Sequence, residues 1–409
     1  MGSFGNLVGE SAAGFLDDLM ATSYFDRART AVETVAALRP HLPALGITRV
    51  SRQTGLDHIG IPCWASFRPN ARSLSGNQGK GLTDAAACAS AIMEAAEFAI
   101  AEQPEAMPLA ASASTLSSRG YNWLDPTRLL PFGSVFDREA TLHWLEGRTL
   151  AGSAPYWVPI DTVDMDGAGA ELTGICKTSN GLASGNTSEE AIFHAICELV
   201  ERDATSLWSL LPAQRKGHTA LSAPSFDDPI IDQLCDTIEH AGLTMRLFDQ
   251  TSDLGIPVVM ALLGPGEPGA ATHFSITAGY GAHPIAARAA IRAITEAAQS
   301  RIGSIAGSRD DIDPLSYAKA AADEHLALLT AEAGAPAPAG LPLGTPLSIS
   351  LDFVKAALSL AGIDPVVVPL GGAQYGISVV KVLAPDLEDR EPNLNWRPGA
   401  RAIGVMLQL

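Results

Sequence analysis

The sequence predicts an α+β fold built from repeated strand, loop and helix units. Three segments share a polar turn, a Gly-Ile-Pro or Gly-Ile-Ser step and an apolar run, which predicts a loop feeding a strand. They are "SRQTGLDHIGIPCWASFRP" (51–69), "FDQTSDLGIPVVMALLG" (248–264) and "PLGGAQYGISVVKVLAP" (369–385). Three further segments place a glycine-rich loop before a long alanine-rich pattern typical of a helix: 75–102, 179–204 and 279–301. The two recurrences indicate sheets packed against long helices.

Composition and charge restrict the class of protein. The 409 residues are 47% hydrophobic and 18% charged, enough to bury one large core or several domain-sized ones. The formal net charge of -18 argues against binding to a nucleic-acid backbone. No apolar run approaches the roughly 20 residues of a membrane span, and the segment "MGSFGNLVGESAAGF" lacks the features of a signal peptide. We therefore expect a cytoplasmic protein with neither nucleic-acid nor membrane partners.

Changes in composition along the chain suggest its domain organisation. We expect an N-terminal helical extension over 1–45 and a main domain over 46–409, with subdivisions near 205–270 and 330–409. The stretch "EAGAPAPAGLPLGTP" (332–346) has the Pro, Gly and Ala content of a surface linker, and we expect a strand, a helix and a strand after it.

The cysteines give no sign of a metal site or a disulfide framework. They are odd in number, widely spaced and form no C-x-x-C pair: Cys63, Cys88, Cys176, Cys197 and Cys235. We interpret them as reduced and mostly packed side chains.

Two of the predicted helices carry polar faces. Ser90, Glu94 and Glu97 lie at i, i+4 and i+7 and therefore share one face of the first helix. The second helix carries its polar groups at spacings of four, four, three and one: Glu190, His194, Glu198, Glu201 and Arg202. Carboxylates on two facing helices would repel one another unless cations lie between them. Because Mg²⁺ is usually held by a few carboxylates together with phosphate oxygens, these faces predict a metal-bridged nucleotide.

The glycine-rich stretches could cradle the phosphates of such a nucleotide. We expect "SGNQGKG", with Lys80, and "SNGLASGN", with Asn186, to present backbone N–H groups and helix N-termini. Neither stretch matches the P-loop pattern. The competing interpretation is a set of solvated glutamates, glycine caps and an ion-paired face formed by Arg292, Glu296 and Gln299. Recurrence of the pattern in three places favours the nucleotide site.

Four long blocks resemble the YcaO proteins, in particular the branch encoded beside TfuA-like partners. The blocks are "GITRVSRQTGLDHIGIPCWASFRPNARSLSGNQGKGLTDAAACASAIMEAAE", "SNGLASGNTSEEAIFHAICELVERDA", "FDQTSDLGIPVV" and "GYGAHPIAARAAIRAITEAAQSR". They cover residues from about 46 to 301 in the family's order, and the remainder follows more weakly. The resemblance implies a YcaO-like fold around a nucleotide site, a YcaO-type catalytic domain over 46–409, and ATP and Mg²⁺ as cofactors.

The reaction implied by the resemblance is ATP-dependent activation of a peptide backbone amide in a ribosomally made peptide or a protein. A Cys, Ser or Thr nucleophile gives an azoline, and an external sulfur donor gives a thioamide. Azoline-forming members often carry a proline-rich tail, whereas this sequence closes with "EPNLNWRPGARAIGVMLQL", so we expect thioamide formation at least as strongly. The alternatives are another ATP-using ligase or kinase on the same scaffold, or a non-catalytic scaffold protein.

The resemblance also assigns individual residues. Three family motifs are matched, by Ser90, Glu94 and Glu97, by Asn186 and Glu190, and by Glu198, Glu201 and Arg202. The implied metal ligands are Glu94, Glu97, Glu190, Glu198 and Glu201, and the implied nucleotide contacts are Ser90, Asn186, Arg202, Arg292, Lys80 and Arg52. The candidate proton acceptors are His194, His283 and the C-terminal carboxylate. As partners the resemblance implies a precursor peptide or protein substrate, a TfuA-like or other partner protein, and a second copy in a homodimer.

Overall fold

The described part of the chain forms three sheets packed against three long helices. The computed structural model describes residues 27–130, 133–152, 154–166, 171–172, 174–175, 177–266, 272–307, 317, 319–390 and 396–408. Its α-helices are α1 (Ala31–Leu38), α2 (Asp84–Ala101), α3 (Ala113–Ser118), α4 (Ser188–Ser209), α5 (Ala213–Gly217), α6 (Pro229–His240), α7 (Ala286–Ala306), α8 (Asp323–Leu329), α9 (Leu347–Leu360) and α10 (Ala400–Met406).

The strands form sheets of three, four and seven members. They are β1 (Arg49–Arg52), β2 (Cys63–Phe67), β3 (Gly76–Lys80), β4 (Leu109–Ser112), β5 (Asn122–Trp123), β6 (Thr141–Thr149), β7 (Pro155–Pro159), β8 (Leu182–Gly185), β9 (Ala220–Leu221), β10 (Leu243–Asp249), β11 (Val258–Pro265), β12 (Thr277–Ala282), β13 (Val366–Gly371) and β14 (Ser378–Leu383). The sheet orders are β1-β2-β3, β12-β11-β10-β9 and β5-β7-β6-β13-β14-β8, with β4 paired to β6. Most neighbours are antiparallel, and β5 pairs with β7 in parallel.

The internal repeat predicted from the sequence corresponds to three antiparallel hairpins. β1 pairs with β2, β10 with β11, and β13 with β14. The second strand of each hairpin then pairs with a strand that leads directly into a long helix: β3 into α2, β12 into α7, and β8 into α4. The predicted α+β class, with sheets packed against long helices, is therefore confirmed. The third unit is assembled from distant parts of the chain, since β8 precedes β13 and β14 by well over a hundred residues.

The glycine-rich stretches before the helices contain strands β3, β8 and β12 where the sequence predicted loops, and their contact with phosphates stays a prediction. Gly79 lies in β3, where a Cβ atom would stand 2.2 Å from the backbone oxygen of Ala87 and the backbone nitrogen of Ala91 in α2. Gly279 in β12 meets α7 with equal closeness. A side chain at either position would collide with helix backbone, so glycine here permits the helix to pack directly on its strand.

Gly79→Ala is expected to lower the free energy of unfolding by about 3 kcal/mol, because the added methyl group must push α2 away from β3. Gly404→Ala is the matched control. Gly404 lies within α10, and a Cβ atom added there meets nothing within 4 Å. Alanine should leave stability unchanged or raise it by up to about 1 kcal/mol through helix propensity. Urea denaturation of both variants measures the difference, and equal midpoints would contradict the packing argument.

Other features of the chain can be compared with the predictions in the same way. Helix α1 lies within the predicted N-terminal extension, whereas residues 1–26 lie outside the described residues. The segment after 346 forms a helix followed by two strands, which differs from the predicted strand, helix and strand. Cys63, Cys88 and Cys197 are buried free thiols and Cys235 is partly exposed, while Cys176 is not among the described residues. No helix in the described part of the chain has both the length and the hydropathy of a membrane span.

Candidate functional site

A cavity of about 400 Å³ lies where the three long helices meet strands β3 and β8. Its walls carry most of the polar residues singled out from the sequence. The charged and histidine side chains that line it are Lys80, Glu94, Glu97, His194, Glu198, Glu201, Arg202, Arg292 and Glu296, and the uncharged polar side chains are Gln78, Ser90, Ser179, Ser184, Gln299 and Ser300. The fold thus brings together groups that are more than two hundred residues apart in sequence.

Helix α2 supplies one acidic wall. Its alanine-rich face packs on β2 and β3, with Ala87, Ala91 and Ala95 fully buried, so its polar stripe turns toward the cavity. Glu94 accepts a hydrogen bond from the backbone N–H of Gln78 at 3.1 Å. The pKa of Glu97 is raised well above its ordinary value by burial and by the nearby carboxylates of Glu198 and Glu94. In the metal-free protein this wall therefore favours a protonated carboxyl group.

Helix α4 supplies the second acidic wall. Glu201 is 5% exposed and accepts a hydrogen bond from the backbone N–H of Ala282 at 3.1 Å. Burial, followed by the Glu296 carboxylate, raises the pKa of Glu201. Burial also raises the pKa of Glu198 to about 7, although the Arg202 guanidinium opposes the shift. Burial alone would lower the pKa of Arg202, but Glu201 and Glu198 hold it above its ordinary value, so this arginine stays charged.

Helix α7 contributes a basic and an acidic group. Glu296 forms an ion pair with Lys80 of β3 and accepts a hydrogen bond from the backbone N–H of Tyr280 at 3.2 Å. Burial would raise the pKa of Glu296, but Lys80 lowers it below the ordinary value, so this carboxylate stays charged. Arg292 reaches Nδ1 of His194 on α4 at 3.4 Å. From the sequence, Glu296 was interpreted only as part of an ion-paired face. Its position four residues after Arg292 places both side chains on the same face of the helix.

The balance of charge in the cavity suits a divalent cation. Five carboxylates line it, from Glu94, Glu97, Glu198, Glu201 and Glu296, against three basic side chains, from Lys80, Arg202 and Arg292. Three of these carboxyl groups have raised pKa values because the basic groups do not fully offset their burial and mutual repulsion. Among the described residues no three His, Cys, Asp or Glu side chains converge on one ion position. Mg²⁺ suits such a site because it binds through one or two carboxylates and completes its coordination with waters and phosphate oxygens.

Four of the sequence-predicted residues do not line this cavity. Asn186 and Glu190 instead contact each other and the N-terminal part of the chain. Glu190 is buried, accepts a hydrogen bond from the backbone N–H of Asn186 at 2.8 Å and another from that of Ala28, and its carboxylate lies 3.9 Å from the Arg27 guanidinium. The Asn186 side chain accepts a hydrogen bond from the Thr34 hydroxyl at 3.0 Å. These contacts fasten the N-terminal segment to the start of α4.

Arg52 and His283 also lie outside the wall of this cavity, and each contacts other parts of the protein. Arg52 donates to the carboxylate of Asp84 at 2.9 Å, beside the N-terminus of α2, where the negative charge also suits the helix dipole. His283 is 4% exposed, and its Nδ1 accepts a hydrogen bond from the backbone N–H of Ile285 at 2.9 Å. His194 lines the cavity and His283 does not, and the role of either as a proton acceptor stays a prediction. The C-terminal carboxylate lies outside the described residues.

The stability of the metal-free protein is expected to depend on Glu198. In the folded state Glu198 keeps its proton up to a pH of about 7, whereas in the unfolded chain it releases the proton near the ordinary value of 4.5. The folded state thus binds more protons between these values, so this group makes unfolding easier as the pH rises. Glu198→Gln should gain Tm relative to the parent protein from about pH 5 to about pH 8 in a chelator. A difference in Tm that stays constant with pH would contradict the assignment.

Comparison with known proteins places the chain among relatives of similar sequence and fold. A family model described as YcaO cyclodehydratase, ATP- and Mg²⁺-binding, matches residues 78–388. An uncharacterised protein from the tfuA 3' region of Rhizobium leguminosarum bv. trifolii is 37% identical over 408 residues, which is 97% of each chain. Among solved structures, a YcaO protein from Methanopyrus kandleri bound with AMPPCP and Mg²⁺ is 21% identical with a TM-score of 0.68, covering 89% of this chain and 92% of its own. A heterocyclase in complex with substrate and cofactor is 23% identical with a TM-score of 0.75 over 90% of this chain, which spans about half (53%) of the heterocyclase.

Proposed function

The chain belongs to the YcaO family, and from this premise we propose that it transfers the γ-phosphate of ATP to the oxygen of a peptide backbone amide. The observation that carries the proposal is the cavity in which the carboxylates of α2 and α4 face Lys80, Arg202 and Arg292. A triphosphate needs both kinds of group, since cations offset its charge and carboxylates hold its metal ions.

The proposed reaction has three steps: addition, phosphorylation and elimination. A nucleophile adds to the amide carbon, losing its proton, and the resulting alkoxide attacks the γ-phosphorus while the bond to ADP breaks. Departure of phosphate with the former carbonyl oxygen then completes the substitution. When the nucleophile is a Cys, Ser or Thr side chain, loss of the amide proton gives an azoline. When it is an external sulfide, loss of the S–H proton gives a thioamide.

The side chains of the cavity have separate tasks in this reaction. Glu94, Glu97, Glu198 and Glu201 would hold Mg²⁺, which neutralises phosphate charge and fixes the triphosphate. Arg202 and Arg292 stabilise the charge that develops on the transferred phosphoryl group. Lys80, held by Glu296, contributes a further positive charge, and Ser90 offers a hydroxyl to the nucleotide. His194, in the same wall, is the group that accepts the proton of the nucleophile.

Thioamide formation with a partner protein is the proposed outcome. It is supported by the relative found in a tfuA 3' region, which matches this chain along nearly its whole length. The substrate is a peptide or protein, and we propose that a TfuA-like partner supplies its recognition or the sulfur. We also propose that the protein forms a homodimer, and that an N-terminal extension over 1–45 precedes a catalytic domain over 46–409. The same purified protein can be used to test both proposals.

The experiment is peptide-dependent phosphate release, followed by mass spectrometry of the peptide. Purified protein is incubated with ATP, Mg²⁺, sulfide, the TfuA-like partner and candidate precursor peptides. Release of phosphate with exchange of one oxygen for sulfur supports the thioamide assignment, and loss of water identifies an azoline. A stable phosphate adduct would identify a kinase instead. Absence of phosphate release above background with every peptide and partner would refute the proposal.

A further inference from the structure

A second cavity, of about 460 Å³, lies beside the 400 Å³ cavity that the proposed function assigns to ATP, called the nucleotide cavity below. The second cavity has a more apolar lining. Its volume falls in the range of pockets that take small organic groups. Most of its wall is apolar, and the apolar side chains include Leu199, Leu387, Trp396, Ala400 and Ile403. Ile403 of α10 is 48% exposed and Ala400 is also exposed, so the cavity opens to solvent beside α10.

The two cavities share one wall. Consecutive residues of the chain alternate between them, since Thr178 and Asn180 line the apolar cavity and Ser179 lines the nucleotide cavity. On α4, Leu199 faces the apolar cavity and its neighbour Glu198 faces the nucleotide cavity. A group bound in the apolar cavity is therefore separated by this wall from the carboxylates that the proposed function assigns to Mg²⁺.

The wall of this apolar cavity also holds seven polar or charged residues: Thr162, Thr178, Asn180, Lys381, Glu388, Asp389 and Arg397. Glu388 accepts hydrogen bonds from the backbone N–H groups of Gly399 and Ala402, each at 3.0 Å, so its charge serves the start of α10. Lys381 is 1% exposed and donates to the backbone oxygen of Thr178. Asn180 is 9% exposed, and within the described ranges its Oδ1 has no hydrogen-bond partner. A buried amide oxygen without a partner is costly and is suited to accept an N–H from a ligand.

We propose that the apolar cavity binds the peptide substrate by taking one of its bulky aliphatic or aromatic side chains. The inference rests on the proposed function, since the substrate of that reaction is a peptide, whose modified amide must reach the cavity on the other side of the shared wall. The apolar lining selects the side chain by burial, and the Asn180 oxygen accepts a backbone N–H from the peptide. Charged side chains of the peptide are disfavoured at this position because most of the wall is apolar and its own charged groups already have partners within the protein.

Photocrosslinking tests this site with defined probes. The first probe is acetyl-Leu-(4-benzoylphenylalanine)-Leu-amide, and the second carries Asp in place of each Leu with the same photoreactive group. After irradiation of the full chain, mass spectrometry maps the labelled residues. We expect the Leu probe to label the segments 383–389 and 396–403 at least about tenfold more than the Asp probe, because burying charge there is unfavourable. Equal labelling by both probes, labelling only elsewhere, or no labelling would overturn the proposal.

Variants separate this site from the nucleotide site. Ile403→Glu places a charge at the mouth of the cavity, and Ala400→Trp fills the mouth without a charge. Both should reduce labelling by the Leu probe about fivefold or more. Leu407→Glu, at an 83% exposed position outside the cavity wall, is the matched control and should leave labelling unchanged. Unchanged labelling in both cavity variants would overturn the assignment.

Binding of Mg²⁺ with a non-hydrolysable ATP analogue, measured by calorimetry on the same samples, distinguishes the two proposals. Nucleotide binding without labelling by the Leu probe would reject the peptide cavity and leave the proposed function standing. Labelling as expected without nucleotide binding would reject the proposed function and leave an apolar peptide site. Nucleotide binding that survives in Ile403→Glu and Ala400→Trp, with labelling lost, supports both.

Discussion

Glu201→Gln is expected to lower peptide-dependent ATP turnover by about 10²- to 10³-fold, since it removes a charge placed for the metal-bound triphosphate. Glutamine keeps the shape of the side chain and can still accept the backbone hydrogen bond that Glu201 receives from Ala282. The loss should therefore appear in activity and in the affinity for Mg²⁺ with ATP, not in the fold. Because Glu201 is buried with a raised pKa, the metal-free variant should be at least as stable as the parent protein.

Glu189→Gln provides the matched control for this experiment. Glu189 occupies the first turn of the same helix, α4, but is exposed and does not line the nucleotide cavity. Turnover of this variant should equal that of the parent protein. If Glu201→Gln retained full turnover, or if Glu189→Gln lost as much, the assignment of the α4 wall to metal binding would be wrong.

Arg202→Gln is expected to lower turnover by about 10³-fold, since a guanidinium placed at a transferred phosphoryl group stabilises its transition state. Arg202 lies in the cavity wall beside Glu198 and Glu201, which hold it in the charged state. Arg202→Lys should recover part of the activity, because lysine restores the charge without the planar pair of donors. The kinetic split is informative: kcat should fall more than the affinity for ATP, as expected for a contact that strengthens in the transition state.

Arg215→Gln serves as the control for the arginine variants. Arg215 is exposed on α5, outside the nucleotide cavity. It should leave both kcat and the KM for ATP unchanged. A normal kcat in Arg202→Gln would show that the guanidinium has no part in phosphoryl transfer.

Local periodicity explains how far the site could be predicted from the sequence. A helix places i, i+4 and i+7 on one face whatever surrounds it, so Ser90, Glu94 and Glu97 had to share a wall. The same geometry joined Glu198 to Arg202 on α4. The repeated Gly-Ile-Pro or Gly-Ile-Ser steps likewise predicted a loop feeding a strand in three places, and in the structure each of these strands is the second strand of an antiparallel hairpin.

The remaining features depend on contacts between distant parts of the chain. Glycines near Lys80 suggested a loop, yet Gly79 is required because α2 packs on β3 at that point. Glu190 continues the polar spacing of α4, but the N-terminal segment covers it. The sequence proposed His283 for the site and Glu296 only for an ion-paired face, whereas in the structure Glu296 lines the nucleotide cavity and His283 does not. His283 turns into the core beside Phe193, and Glu296 meets Lys80 from a different sheet.

Transfer of the amide oxygen to phosphate is the most direct measurement of the central claim. A peptide that stimulates phosphate release is prepared with ¹⁸O in its backbone carbonyl groups and is turned over with unlabelled ATP in ordinary water. Phosphorylation of the amide oxygen predicts that each released phosphate carries one ¹⁸O atom from the peptide. Unlabelled phosphate alongside modified peptide would contradict the account, because the amide oxygen would then have left by another route.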